Sequence, residues 1–280
     1  MQLPKDHEEA RAVALLSHFI MSPSFHPPML PDVARKAMQL ASTPNADIRN
    51  IARLIERDQL LAVRFLRTAN SGLYRRGLPA LSVQAALTRI GLATARDVLV
   101  FASLEPLLFT SHQFADEMNR LRKHSLAVSA ACTYLASGSR TPADDAGLAG
   151  LVHDIGAAVL IKFMSDNVTM FAGLLASGAG INGVLKITHT AAGARLADLW
   201  QLPALMKAVM KGHHEASSTS PEIVRLVAAA DELATLAGAG SGFEPLDRSR
   251  LSIKNFVHPP ARVDDSVRRF SERVSELSSI

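Results

Sequence analysis

Apolar residues recur three and four positions apart through nearly all of this 280-residue chain, and no stretch alternates apolar and polar residues with period two. The first pattern gives each segment one buriable helical face; the absence of the second leaves no half-buried strand from which to build a sheet. The fold class that follows is all-α, a helical bundle. Apolar residues make up 48% of the chain and aromatic residues only 5%. That share rests on Ala, Leu and Val, as in packed helices.

Helix punctuation divides the chain. His7 to Met21 reads as a first helix, and the proline-rich Phe25-His-Pro-Pro-Met-Leu-Pro31 as a linker. Further helices are expected from Pro31 to Ala41, Asn45 to Asp58, Gln59 to Ser71, Ser82 to Gly91 and Thr94 to Leu108, with Ser82 as an N-cap and Gly72 and Gly91 as stops. The second half reads as a long helix from Ser111 to Ala136, one strongly apolar central helix from Asp144 to Met164, and helices over Val168–Ala176, Ile181–Leu199, Pro203–His213 and Pro221–Leu236. Gly238-Ala-Gly-Ser-Gly-Phe243 reads as a flexible loop and Asp264 to Leu277 as a peripheral helix. Four segments result: an N-terminal helix (1–24), a first helical part (25–110), a second helical part (111–240), and a loop with a terminal helix (241–280).

Charge and cysteine content narrow the classes. Thirty basic and 26 acidic residues leave a net charge of +4, but the basic ones are scattered. A nucleic-acid footprint needs a clustered stripe, so no nucleic acid is expected as a partner. The single cysteine, Cys132, lies in an apolar helical run and reads as a core thiol. With no intrachain disulfide possible and a polar, acidic N-terminus unlike a signal peptide, a cytoplasmic location is expected. Val98 to Phe109 reads as the longest nearly apolar stretch. It is interrupted by Glu105 and Pro106 and falls short of the roughly 20 residues that span a bilayer, so no membrane is expected.

Chemistry concentrates in the second half. His124, the pair His153-Asp154, His189, the pair His213-His214, and Asp231 each fall on or at the end of an apolar helix. Buried alone, each would carry a desolvation cost of about 1 to 3 kcal/mol. Imidazole and carboxylate are common ligands of Zn, Fe and Mn, and a shared ion would satisfy their lone pairs. An Asp beside a His is useful because one carboxylate can bridge two ions. Adjacent helical residues diverge by about 100°, so His213 and His214 can share a site only at a helix end, which Glu215-Ala-Ser-Ser-Thr-Ser-Pro221 supplies. Each residue also has a plainer reading as a satisfied core or surface side chain, and for His213-His214 as a favourable charge at a helix C-terminus; the case rests on the set. His7, His18, His26, His112 and His258 lack such company and take the plainer reading. Asn70-Ser71-Gly72 reads as a helix stop with local turn hydrogen bonds, packed on the second part, or as a relay or partner surface between the two parts. Trp200 reads as a core anchor.

Leu151-Val-His-Asp-Ile-Gly156 resembles the signature of the HD superfamily of metal-dependent phosphohydrolases. The first part is similar to the HDOD subfamily: Met29-Leu-Pro31, then Ile55-Glu-Arg-Asp58 through Ala69-Asn70-Ser71-Gly-Leu-Tyr74, then Ser82 to Gly91, run in that family's order. Lys123-His124-Ser125, Ala192-Gly193, Trp200-Gln-Leu-Pro203 and Ala230-Asp231 continue it, so the resemblance covers about residues 25 to 240. It implies that His124, His153, Asp154 and Asp231 are the basic metal ligands. Asp154 would be the bridging carboxylate and, in an active enzyme, the catalytic one beside an attacking hydroxide. It also implies that His189, His213 and His214 match the extra histidines of the HD-GYP branch of cyclic-dinucleotide phosphodiesterases. The implied cofactor is a divalent metal, one or two ions of Fe, Mn, Ni or Zn.

The chain departs from the active branch in three places. Ala157 stands where active members carry a phosphate-holding Lys. No Gly-Tyr-Pro element lies between His214 and Asp231. Arg120, one turn before His124, stands where some three-metal members place a Glu; its charge would disfavour a further cation but could receive a phosphate. The expectation is therefore a bacterial regulatory module with a metal site, the alternative an active phosphohydrolase acting on a nucleotide or cyclic dinucleotide. No receiver, cyclase or sensor domain is read in these residues, so the input is expected from a separate signalling protein or a nucleotide second messenger.

Overall fold

The computed structural model describes residues 7–41, 48–74, 77–178, 180–243, 252–257 and 262–275. The described residues are helices and their connections, without a strand. In chain order the α-helices are α1 (His7–Met21), α2 (Asp32–Ala41), α3 (Ile48–Glu56), α4 (Gln59–Ala69), α5 (Val83–Ile90), α6 (Leu92–Leu108), α7 (Ala115–Ala136), α8 (Ala143–Val152), α9 (Ile155–Asp166), α10 (Ala172–Ala176), α11 (Asn182–Leu199), α12 (Ala204–Gly212), α13 (Glu222–Leu236) and α14 (Val263–Ser275).

Local chemistry sets many of these ends. The Ser82 hydroxyl accepts from the Ala85 amide at 3.1 Å and opens α5, and Gly91, at φ +78°, closes it. Asp58 caps α4 by accepting from the amides of Leu60 and Leu61. Helices α2 to α6 form one group around α6, which also packs on α8 and α9 of the second group. The second group is built on the pairs α7–α8, α9–α11, α11–α12 and α7–α13. Helix α1 precedes the first group in sequence but packs on α10 and α11 of the second.

The Asn70 side chain clasps the loop that follows it. Its amide donates to the Ala80 carbonyl at 3.0 Å, and its oxygen accepts from the Ala80 amide at 2.7 Å. The ring of nearby Tyr74 reaches across to the second group, where its hydroxyl donates to the Leu126 carbonyl of α7. Ser71 is buried beside this junction. Trp200, at the end of α11, donates from its indole to the Pro28 carbonyl at 3.0 Å and ties the proline-rich linker to the second group.

Two expectations need correction. Residues 144–164 are not one helix: α8 ends at Val152 and α9 begins at Ile155, with Asp154 at φ −102°, ψ 11° between them. A straight helix would splay His153 and Asp154 apart; the corner lets both face inward. The longest apolar stretch is Asp145–Asp166 rather than Val98–Phe109. By length and composition it could cross a membrane, but 89% of its apolar window is buried inside the protein. The first group also buries a charge pair. Arg96 and Asp97 of α6 are each 3% exposed and form an ion pair of 2.6 Å.

Candidate metal centre

The seven candidate residues of the second part, His124, His153, Asp154, His189, His213, His214 and Asp231, meet at one place. The α8–α9 corner presents His153 and Asp154; α7 presents His124, α11 presents His189, the short 3-10 turn after α12 presents His213 and His214, and α13 presents Asp231. They form two groups of possible metal ligands, one of His124, His153 and Asp231, the other of Asp154, His189, His213 and His214. Asp154 joins them. Its Oδ2 lies 3.5 Å from His124 Nε2 and 3.4 Å from His153 Nε2, while its Oδ1 lies 3.4 Å from His189 Nε2 and 3.1 Å from His213 Nε2. Asp231 Oδ1 is 3.4 Å from His124 Nε2.

The close approach of α9 to α11 depends on Gly156. A methyl group there would overlap the His189 carbonyl oxygen and stand 2.5 Å from the Gly193 nitrogen, so only the hydrogen of a glycine fits the crossing.

Backbone carbonyls set the orientation of four rings. His124 Nδ1 meets the Ala239 carbonyl at 2.8 Å, His153 Nδ1 that of Gly150 at 2.7 Å, His189 Nδ1 that of Leu185 at 2.7 Å, and His213 Nδ1 that of Val209 at 2.9 Å. A carbonyl can only accept, so each Nδ1 carries the proton and each neutral ring presents an Nε2 lone pair inward. His124 Nε2 and His153 Nε2 then stand 3.2 Å apart with two lone pairs facing. Such a contact is tolerable only with a cation between them, a proton or a metal ion.

The unsatisfied atoms support the second choice. Both carboxylate oxygens of Asp154 and the Nε2 of His213 are buried and have no hydrogen-bond partner. Buried orphans of this kind carry the full cost of desolvation, and a coordinated cation is the group that would use them together. The donor set of imidazole and carboxylate fits a borderline divalent ion.

Electrostatics among the protein groups of the centre follow from burial and mutual contact. Burial pushes the His124 pKa down, but the adjoining Asp154 and Asp231 carboxylates outweigh it and lift it to about 9. For His213 the same contest also ends upward. Burial dominates at His189, held at about 4, and at His214, held far below its usual range with the help of His213. Asp154 is driven up by burial but more strongly down by the surrounding imidazoles, and stays ionised. A raised His contributes stability that is present below its unfolded value, about 6.5, and is lost as pH climbs through its folded value. A depressed His resists protonation that the unfolded chain accepts, so it costs stability as pH falls below about 6.5. The chelated protein is therefore expected to be most stable near neutrality. It should lose stability toward pH 9 through His124, and toward pH 4 through His189. Thermal unfolding across pH in EDTA checks this; a metal-loaded sample should lose the alkaline limb, because the ion replaces the proton.

The remaining predicted residues fall elsewhere. Arg120 is half-exposed on α7, paired with Glu117 at 3.5 Å and lying against Gly242, outside the ring of groups around Asp154. Asn70 and Ser71 sit at the junction of the two helical groups rather than in the centre. Ala157 is fully buried and offers nothing to a ligand. His7, His18, His26 and His112 are exposed, and His258 lies outside the described residues.

The segment 238–243 was missed as part of the centre. It is no free loop: Ala239, Ser241 and Phe243 are buried, Ala239 holds His124, and the Phe243 ring lies 5.1 Å from that of His189. Its glycines at positive φ, Gly238 and Gly242, signal a defined turn as readily as a mobile one, and the apolar Phe243 at its end was the usable clue.

The sequence matches the HDOD domain family over residues 28–216. A crystal structure of a candidate metal-dependent phosphohydrolase from Shewanella amazonensis superposes with a TM-score of 0.71 at 22% identity, covering 98% of this chain and all of the other. An HDOD domain protein of unknown function from Geobacter sulfurreducens gives 0.66 at 25% identity, with 96% and 94% covered. A candidate signal transduction protein from Marinobacter aquaeolei gives 0.59 at 20% identity, covering 98% of this chain and 68% of the other. An uncharacterized protein of Treponema pallidum is 22% identical over 236 residues; the match takes in 81% of this chain and 45% of that protein's length.

Proposed function

The chain belongs to the HDOD family, and on that premise we propose that it is a cytoplasmic bacterial signalling protein whose buried centre holds one or two divalent ions of Fe, Mn, Ni or Zn. One observation carries the reading. The two oxygens of Asp154 face two separate ligand groups, and both lack a hydrogen-bond partner in the protein. One ion would be held by His124, His153, Asp231 and Asp154 Oδ2, the other by Asp154 Oδ1, His189, His213 and His214. Bound there, divalent ions supply Lewis-acid polarisation of a phosphoryl oxygen and a more acidic water.

The protein's own residues favour regulation over rapid turnover. His124, His153, Asp154, His189 and His213 are each 1% exposed, and only His214 and part of Asp231 reach solvent. The phosphate-holding position is the buried Ala157. A centre so enclosed is suited to fixing the relative positions of α7, α9, α11 and α13 in response to metal and ligand. Its partner would be a separate signalling protein or a nucleotide second messenger. The second reading, a metal-dependent phosphohydrolase, draws on the completeness of the seven-residue set.

Elemental analysis of untagged protein, paired with assays on bis(p-nitrophenyl) phosphate and cyclic dinucleotides, separates the two. The regulatory reading expects stoichiometric metal and turnover well below about 1 per second, the low end of ordinary enzymes. Turnover at ordinary rates establishes the hydrolase instead. A correctly folded protein with no metal overturns both.

A further inference from the structure

The exposed side of the centre opens on a groove that the metal ligands do not account for. His214 belongs to the buried cluster, with its Nε2 3.0 Å from His189 Nε2, yet it is itself exposed and lines a cavity of about 1040 Å³ between α11, α12 and the end of α1. That volume is at the upper end of small-molecule sites. Its floor is apolar, formed by Ile187, Ala191 and Ala194 of α11 with Met21 of α1 at the rim. Its walls are cationic. Lys186, Arg195, Lys207 and Lys211 line it against two carboxylates, Asp198 and Glu215. Lys207 is paired with Asp198 at 2.6 Å. Arg195 and Lys211, by contrast, have no carboxylate partner among the described residues. Spacing explains the layout: positions 187, 191, 194 and 195 share one face of α11, and 207 and 211 share one face of α12.

We propose that this groove is the site of a phosphate-bearing nucleotide ligand, with Arg195 and Lys211 holding the phosphate, the apolar floor of α11 receiving the base, and His214 forming the wall toward the metal centre. The inference rests on the signalling reading above and names the ligand class it needs. The charge arrangement supplies what Ala157 cannot: two uncommitted cations next to His214, the most exposed of the candidate ligands. An Arg fork and a Lys point charge together suit a phosphate dianion. A flat heteroaromatic base fits the aliphatic floor, where the Thr190 hydroxyl is the one polar group among the uncharged side chains of α11 that line it. Such a floor discriminates bases weakly.

Calorimetric titration of the full chain with AMP, inorganic phosphate and adenosine tests this, on metal-loaded and on chelated protein. AMP is expected to bind more tightly than either fragment, with an affinity that falls as salt rises from 0.05 to 0.5 M, the range over which screening of an exposed charge pair sets in. The double variant Arg195→Gln, Lys211→Gln is expected to weaken AMP at least 10-fold, while its metal content and melting temperature stay at wild-type values. AMP binding that is absent, or unchanged in the double variant, overturns the site. Phosphate binding as tight as AMP overturns the nucleotide class. Should the protein hold no metal yet bind AMP through Arg195 and Lys211, the groove stands and the metal reading falls. Should it hold metal but ignore AMP, the groove falls and the metal reading stands.

Discussion

Asp154→Ala is expected to empty both halves of the metal centre at once. Asp154 is the one side chain whose two oxygens face both ligand groups, at 3.1 to 3.5 Å from four imidazole nitrogens. Purified wild-type protein should carry stoichiometric divalent metal and the variant none. Stability gives a second readout. An ion present at about 1,000 times its dissociation constant stabilises the folded state by about 4 kcal/mol, so chelation should lower the wild-type melting temperature by several degrees and leave the variant unmoved. Asp231→Ala makes the contrast. Asp231 is partly exposed and belongs only to the group of His124 and His153, so its loss should weaken one position and spare the other. Elemental analysis of the two variants decides the matter; an Asp154 variant that keeps a full complement of metal would show that the carboxylate does not bridge.

Gly156→Ala is expected to cost about 3 kcal/mol or more, the upper range of overpacking in a tight core. The added methyl meets backbone on α11, the His189 carbonyl and the Gly193 nitrogen, and backbone cannot rotate away. Helix α9 must then lift from α11, which draws Asp154 off His189. The melting temperature should fall by about 6 °C or more, at roughly 2 to 4 °C per kcal/mol for a chain of this order of size, and metal affinity should drop about 10- to 100-fold, as for loss of an orienting contact. Gly212→Ala is the control. Nothing lies within 4 Å of a methyl there, and its φ of −127° suits any residue, so stability should move by less than about 0.5 kcal/mol. Urea unfolding of both variants, followed by metal titration, measures the difference. A Gly156 variant as stable as the control would mean that the crossing is looser than the backbone contacts require.

These two residues also show where reading the chain succeeds and where it stops. The helices with local start and stop signals were legible: Ser82 caps α5 and Gly91 ends it, as their side chains and backbone freedom dictate. The cluster was legible as a set of candidates, because seven polar groups on apolar helices are best satisfied by a shared partner, and the seven do come together. The break between α8 and α9 was not legible. Val152-His-Asp-Ile155 contains no proline and no capping Ser or Thr, and the run reads as unbroken helix. The bend exists because α7, α11 and α13 surround the corner and take up both side chains. The Gly238–Phe243 segment misled in the other direction, since its glycines serve a turn packed over His189 and His124.

The amino-acid sequence by itself determined the all-α class, most helix limits and which His and Asp residues are the candidate ligands, because each follows from periodicity and from side-chain chemistry carried by a few neighbours along the chain. Only the tertiary structure decided that Asp154 stands between two ligand groups, that Nε2 rather than Nδ1 of four histidines points inward, that α1 closes on the second helical group, and that His214 opens onto a cationic groove. Those outcomes depend on distances between residues far apart in the chain, such as His124 and Ala239, 115 positions apart, or the still more distant α1 and α11. Such distances are set by how helices cross and how closely their backbones approach, which no local pattern encodes.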